Sequence, residues 1–199
     1  EPIPDHFKDT GCVMAAGGRT YLREAFVTIS RIRSNGWDWP IQIWHLGPKE
    51  APLDLRQRFA HLDVMFVDAY QVARMHPVRK LGGWQLKHYA IAWCEFDNVL
   101  LLDADNAPVR DPFPLFESEE FQRHGAIFWP DIITNRKSDK IFTFLGLQKP
   151  EGFVEGESGQ IMLNKTRNWK AWELMLWLNE FADFWFRYVH GEKDVGELS

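Results

Sequence analysis

Near the middle of the chain, a short apolar run ends directly in two aspartates. Residues 98–102 (NVLLL) are typical of a buried strand, and Asp103 and Asp105 follow it, with Ala104 between them. Side chains two apart in an extended segment lie on the same side, so both carboxylates can face one cation. Because Mn²⁺ and Mg²⁺ prefer carboxylate oxygens, the segment predicts a metal site. The alternative is that one aspartate caps a turn and the other is solvated.

The rest of the chain alternates between strand-like and helix-like segments. This alternation predicts an α/β fold with a mixed, largely parallel sheet flanked by helices, in a single domain over residues 1–199. Ligands bind at the carboxyl edge of such sheets, where the two aspartates would lie. The predicted strands are 11–16, 41–46, 63–67, 98–102, 125–129 and 158–163. The first predicted helix begins at Tyr21, with Thr20 as its cap. The other predicted helices lie near 53–60, at 84–95 and at 167–189.

Composition excludes some classes of function. The net charge of -5 argues against a broad basic surface for nucleic acid. The sequence contains no run of about 18 apolar residues, so we expect no membrane span. Cys12 and Cys94 lie in no metal-binding spacing and are expected to be buried thiols. Free thiols suit the cytoplasm, and the lumen of the Golgi is the alternative if an anchor has been trimmed from the chain.

Other candidate residues give weaker signals. The turn at Gly17 and Gly18 would let a ligand approach the backbone, although an ordinary tight turn has the same composition. Lys87 and Lys193 are candidate phosphate partners, or simply surface charges. The segment 157–160 (ESGQ) either places polar groups in a cleft or forms a turn into a strand. Most of the ten tryptophans are expected in the core, with one to three at a cleft.

Taken in order, several motifs resemble one enzyme family. They are 101–106 (LLDADN), 110–112 (RDP), 125–131 (GAIFWPD), 157–160 (ESGQ) and 190–194 (HGEKD). Together they resemble the Golgi α-1,3-mannosyltransferase-like family, whose members are retaining enzymes of the GT-A fold, related to the glycogenin-like and galactosyltransferase-like group. The resemblance runs from about Val13 to Asp194, which is nearly the whole chain.

The resemblance implies transfer of a hexose, with mannose favoured, from a nucleotide-sugar donor to a glycan or another hydroxyl acceptor, assisted by Mn²⁺ or Mg²⁺. GDP-mannose is the favoured donor, and a UDP-sugar is the alternative. Asp103 and Asp105 would be the metal ligands of the family's D-x-D motif. The resemblance implies donor-site roles for Ala15, Ala16, Gly17, Arg19, Lys87, Ala104, Trp129, Asp131 and Lys193. The candidate catalytic groups are Glu157, Gln160 and Asp194.

The sequence also departs from the related group. That group takes a third metal ligand, a histidine, from a later motif that this chain lacks, and His190 is the candidate substitute. Two other functions compete with transfer. In the first, Asp103 is the nucleophile of a haloacid-dehalogenase-like phosphohydrolase, although about half the chain precedes it. In the second, the chain is a catalytically inactive nucleotide-sugar-binding module.

Overall fold

The computed structural model describes residues 7–132, 142–143, 146, 148, 152, 154, 156–185 and 187. These residues form one six-stranded sheet with helices on both faces. The strands are β1 (Lys8–Ala15), β2 (Ile41–His45), β3 (Met65–Asp68), β4 (Phe96–Leu102), β5 (Ala126–Pro130) and β6 (Gly156–Asn164). The helices are α1 (Gly18–Ser34), α2 (Leu53–Gln57), α3 (Ala69–Val72), α4 (Gln85–Trp93), a 3₁₀ turn (Phe113–Glu117), α5 (Glu119–His124), α6 (Lys165–Glu180) and α7 (Ala182–Trp185).

The sheet is mixed and largely parallel, as the sequence predicts. Its order is β3-β2-β1-β4-β6-β5. Strands β3, β2, β1 and β4 pair in parallel, and β6 runs antiparallel to both of its neighbours. The carboxyl ends of β2, β1 and β4 therefore meet side by side at one edge of the sheet, and the segment that follows β4 carries the two aspartates.

Two apolar cores cover the two faces of the sheet, and the strands supply alternate side chains to each. In β1, Cys12 and Met14 enter one core while Val13 enters the other. Helix α1 covers the first face with a buried stripe at helical spacing. Helices α4 and α6 cover the second face. The stripe on α1 consists of Leu22, Ala25, Ile29 and Ile32.

A fully buried lysine joins elements of the second core. Lys165, the first residue of α6, donates from Nζ to the main-chain oxygens of Cys94 at 2.7 Å and Ala92 at 3.3 Å. Its ammonium also lies 3.3 Å from the centre of the Phe7 ring. Burial lowers the pKa of Lys165 to about 8, although the nearby Cys94 opposes this shift. The hydrogen bonds offset part of the cost of burying this charge.

The structure corrects two predicted helices. Helix α1 begins at Gly18, with Gly17 at its N-cap, so Thr20 is not the cap. The predicted long helix 167–189 is interrupted, because Phe181 leaves the helical conformation (φ -104°, ψ 28°) between α6 and α7. Arg79 donates to the main-chain oxygen of Glu180 at 2.7 Å and satisfies the end of α6. This contact spans about 100 residues of sequence, which local periodicity does not register.

The remaining elements agree with the sequence in kind, with small differences in extent. Strand β6 begins at Gly156, so the ESGQ segment lies within a strand and does not precede it. Short helices α3 and α5 and the 3₁₀ turn were not predicted. Both cysteines are buried free thiols, as expected. In the part of the chain that the structure describes, no helix is long and apolar enough to cross a membrane.

Candidate active site

A cleft of about 330 Å³ opens at the carboxyl edge of the sheet. The ends of β1 and β4, the segment after β2 and the start of α4 form its walls, which is the usual place for a ligand in an open α/β sheet. The residues that line it are Ala15, Ala16, Gly17, Tyr21, Leu46, Glu50, Gly83, Trp84, Leu86, Lys87, Asp103, Ala104 and Asp105.

Lys87 and Asp103 form a close ion pair in this cleft. Lys87 Nζ lies 2.7 Å from one carboxylate oxygen of Asp103 and 2.8 Å from the other. Burial raises the pKa of Asp103, and the charges of Asp105 and Glu157 add to the rise, while Lys87 opposes it. The Lys87 and Asp103 side chains are 14% and 29% exposed, so the pair is accessible from the cleft.

Asp105 is exposed, unlike Asp103. No hydrogen bond or ion pair to its side chain is found within the described ranges, so its carboxylate oxygens are available to a ligand. Two carboxylates two residues apart form a hard oxygen donor set that fits Mn²⁺ or Mg²⁺. The described residues contain no group of three or more His, Cys, Asp or Glu side chains that could hold a metal. Two carboxylates leave most coordination positions of such a cation open to oxygens of a substrate or of water.

The turn between β1 and α1 closes the other side of the cleft. Gly17 is extended, whereas Gly18 has a φ of +73°, which favours glycine. The main-chain N–H of Gly18 donates to the main-chain oxygen of Glu50 at 2.8 Å. A Cβ on Gly17 would overlap the carboxylate of Glu50, so the turn requires glycine at this position for close packing as well.

Strand β6 places a polar network next to the two aspartates. The N–H of Asp103 donates to the main-chain oxygen of Gly159 at 2.8 Å, and Glu157 accepts from the N–H of Gly159 at 2.6 Å. The side-chain amide of Asn106 donates to the main-chain oxygen of Gly159 and to Gln160 Oε1, both at 3.2 Å. The network links the loop after β4 to β6 and holds Glu157 near Asp103.

The structure brings most of the predicted donor-site residues together. Among those that line the cleft, the predicted residues are Ala15, Ala16, Gly17, Lys87, Asp103, Ala104 and Asp105. Glu157 and Gln160 lie beside them in the β6 network. Their catalytic roles stay predictions.

Other predicted residues lie elsewhere. Arg19 is exposed in the first turn of α1, and Trp129 of β5 packs against the first core, so neither belongs to the cleft wall. Asp131 follows β5 and is also not part of this wall. Lys193, Asp194 and the substitute ligand His190 lie outside the described residues.

The sequence reasoning missed part of the cleft wall. The residues Tyr21 and Trp84, which are 60% and 54% exposed, contribute aromatic side chains to the wall, and Glu50 adds a carboxylate. Glu50 follows β2 at the same sheet edge as Asp103, so the rule that selected the aspartates could have found it. Leu46, Gly83 and Leu86 complete the set of missed residues.

A family model matches most of the sequence, including the segments that form the cleft. The model of the mannosyltransferase family Mannosyl_trans3 matches residues 9–156, which is well over half of the chain and includes every residue that lines the cleft. The chain belongs to this mannosyltransferase family. Family membership leaves the haloacid-dehalogenase-like alternative without support.

Curated mannosyltransferases are similar to nearly the whole chain. The α-1,2-mannosyltransferase MNN24 of Candida albicans is 24% identical in an alignment of 225 positions, which covers 96% of this chain and 31% of the relative. The α-1,2-mannosyltransferase MNN2 of Saccharomyces cerevisiae is 24% identical in an alignment of 230 positions, which covers 96% of this chain and 38% of that relative. The chain thus spans about a third of the length of these relatives. The predicted α-1,3 linkage has no support, because the relatives are named for α-1,2 transfer.

Solved structures confirm the GT-A fold of this mannosyltransferase-family chain. The galactosyltransferase LgtC, solved with donor and acceptor sugar analogs, superposes with a TM-score of 0.60 at 13% identity, over 92% of this chain and 68% of that one. Glucosyl-3-phosphoglycerate synthase from Mycobacterium tuberculosis, solved with Mn²⁺ and UDP, superposes with a TM-score of 0.53 at 15% identity, over the same shares. At this identity the likeness concerns the fold alone.

Proposed function

We propose that the chain is the donor-binding catalytic domain of an α-1,2-mannosyltransferase. It transfers mannose from GDP-mannose to a hydroxyl group of a mannose-containing glycan, and the anomeric configuration is retained. The observation that carries this proposal is the cleft that holds Asp103, Asp105 and Lys87 at the carboxyl edge of a GT-A sheet, in a chain of the mannosyltransferase family. The α-1,2 linkage rests on the names of the relatives.

Asp103 and Asp105 would hold the metal. When bound, Mn²⁺ or Mg²⁺ supplies positive charge that stabilises the negative charge on the leaving diphosphate. The donor set fits because both carboxylates follow one strand and Asp105 is exposed. The glucosyl-3-phosphoglycerate synthase that shares the fold was solved with Mn²⁺ and UDP, which supports a metal and a nucleotide as ligands of a protein with this fold.

Lys87 has two roles in this proposal. In the free chain it neutralises Asp103 across a 2.7 Å contact and reduces the cost of holding that carboxylate partly buried. When the donor binds, its ammonium turns to the diphosphate, where a charge-assisted hydrogen bond favours the charge that develops on bond cleavage. A flexible lysine stem permits this exchange without movement of α4.

Glu157 and Gln160 are the proposed groups that act on the transferred sugar. Glu157 is held by the N–H of Gly159 at 2.6 Å, and its charge is close enough to raise the pKa of Asp103. A fixed carboxylate next to the diphosphate would stabilise positive charge on the sugar as the bond to phosphate breaks. Asp194 stays a third candidate for this role.

A transfer assay tests this function. The chain is incubated with GDP-mannose and an α-mannoside acceptor, with Mn²⁺ or with EDTA, and the product is analysed by NMR for linkage and anomeric configuration. We expect an α-1,2-linked mannoside with Mn²⁺ and none from Asp103→Ala or Asp105→Ala. Transfer at the wild-type rate by both variants would contradict the assignment. Donor binding without any transfer would identify a binding module instead.

A further inference from the structure

We propose that Glu50 selects the base of the donor, because its carboxylate accepts two hydrogen bonds from guanine. This inference rests on the proposed function and adds to it the residue that distinguishes a guanine nucleotide from other nucleotides. Glu50 lines the same cleft as Asp103, and neither the metal nor the phosphate role requires a second acidic wall there. A carboxylate in a site for an anionic donor repels phosphate and favours a ligand group that donates hydrogen bonds.

Two main-chain contacts fix the position of Glu50. Its carboxylate oxygen Oε2 accepts from the N–H of Leu46 at 2.9 Å, and its own carbonyl accepts from the N–H of Gly18 at 2.8 Å. The side chain is half-buried against Gly17. Each carboxylate oxygen has two lone pairs, so the contact with Leu46 leaves acceptor capacity on both oxygens. The group is therefore held in place before any ligand arrives.

Glu50 lines the cleft from a different connection of the sheet than the predicted phosphate site. It belongs to the segment after β2, whereas Asp103 and Asp105 follow β4, and β1 lies between these two strands. The Glu50 side chain packs against Gly17, just after β1, and β1 is the neighbour of β4, so the step between them is about 5 Å, which a nucleoside diphosphate can span. With the diphosphate at Asp103 and Lys87, the base of the same nucleotide reaches Glu50.

Aromatic side chains in the same cleft offer surfaces on which a base can stack. The exposed residues Tyr21 and Trp84 line the cleft together with Glu50 and Leu46. Stacking on such rings holds any base and does not distinguish one from another. Discrimination therefore depends on a polar group at the edge of the base, and Glu50 supplies that group.

The chemistry of the bases selects guanine. Guanine presents two adjacent donors, N1–H and the 2-amino group, which match the two oxygens of a carboxylate in a paired, charge-assisted geometry. Uracil presents one N–H between two carbonyl oxygens, and these oxygens would face the carboxylate unfavourably. Adenine and cytosine present an amino group next to a ring nitrogen that accepts. Glu50 therefore favours guanine and disfavours the other three bases.

Calorimetric titration with Mn²⁺ tests this role. The titrated ligands are GDP, UDP and IDP, and IDP differs from GDP in lacking the 2-amino group. For the wild-type chain we expect GDP to bind at least tenfold more tightly than either IDP or UDP, because each of these ligands lacks one of the two hydrogen bonds to the charged group.

Glu50→Gln should lose this preference, because its amide offers one acceptor and places a donor against the base. It keeps an oxygen for the N–H of Leu46. Glu120→Gln, an exposed glutamate on α5, is the matched control and should bind like the wild type.

The other outcomes of the titration distinguish failure of base selection by Glu50 from failure of the proposed glycosyl transfer. If the wild-type chain binds GDP, IDP and UDP equally, the role of Glu50 is overturned without any need for a variant. If Glu50→Gln weakens GDP and UDP by the same factor, Glu50 only supports the loop after β2, which also overturns its role in base selection. Mn²⁺-dependent binding of UDP in both cases would leave the proposed glycosyl transfer standing. No binding of any nucleotide would contradict both proposals.

Discussion

Lys87 Nζ lies within 2.8 Å of both carboxylate oxygens of Asp103, so the lysine ammonium contacts the whole carboxylate of the first aspartate in the D-x-D segment. The pair joins the first turn of α4 to the end of β4 across the cleft. A positive charge in this position can be exchanged between a carboxylate and a phosphate, because both are anionic oxygen acceptors.

Replacing Lys87 should reduce the affinity for the donor more than it reduces the stability of the fold. Lys87→Met keeps the length of the side chain and removes the ammonium, so we expect nucleoside diphosphates to bind about 10- to 100-fold more weakly. Isothermal titration with Mn²⁺ measures this loss. Lys170→Met, an exposed lysine on α6, is the control for the loss of one positive charge. Equal affinity of Lys87→Met and the wild type would exclude a phosphate contact.

Asp105 should contribute to metal binding and not to stability. Its side chain is exposed, so Asp105→Asn should change the free energy of unfolding by less than about 0.5 kcal/mol. The same variant should lose the difference in nucleotide affinity between Mn²⁺ and EDTA. Denaturant unfolding and titration calorimetry measure the two effects. Asp54→Asn, an exposed aspartate in α2, should retain both properties. A large loss of stability in Asp105→Asn would indicate a structural role.

Gly17 should tolerate no side chain. A Cβ there overlaps the carboxylate of Glu50, so Gly17→Ala must displace Glu50 or the turn, at a cost of about 1–3 kcal/mol. We also expect weaker nucleotide binding, because both residues line the cleft. Gly82→Ala is the matched control, since nothing lies within 4 Å of the Cβ it adds. Unchanged stability and affinity in Gly17→Ala would show that the cleft closes less tightly there.

Lys165 should make stability depend on pH in the alkaline range. Burial lowers its pKa from 10.5 to about 8, so the unfolded chain binds the proton more tightly than the folded chain. The contribution of Lys165 to stability is therefore fully present above pH 10.5 and is lost as the pH falls towards 8. The shift corresponds to about 3 kcal/mol. Compared with Lys165→Met, the wild type should gain stability between pH 8 and 10.5 in denaturant titrations. A constant difference would contradict the shift.

The sequence predicts the layers of the fold because strand and helix periodicities are local. The apolar run at 98–102, the strand-like segment at 158–163 and the helical stripe on α1 are sufficient to predict an α/β sheet. The end of α6 could not be predicted, because the side chain that caps it belongs to Arg79, which is distant in sequence. The short helices α3 and α5 are each too brief for a periodic pattern.

The candidate site was predictable to the extent that its residues follow strands. Asp103 and Asp105 come directly after the clearest apolar run, so their position follows from the sequence alone. Glu50 and Trp84 lie in loops, where no periodicity shows which way a side chain faces. Their place in the cleft depends on the packing of β2, β1 and α4, which is tertiary information.

The most direct test of the central claim is calorimetric binding of GDP to the wild-type chain and to Asp103→Ala, with Mn²⁺ and with EDTA. Circular dichroism confirms that both proteins are folded. We predict binding by the wild type with Mn²⁺ that is lost in EDTA and in the variant. Equally tight binding in EDTA, or by Asp103→Ala with Mn²⁺, would contradict a metal-dependent donor site at the D-x-D segment.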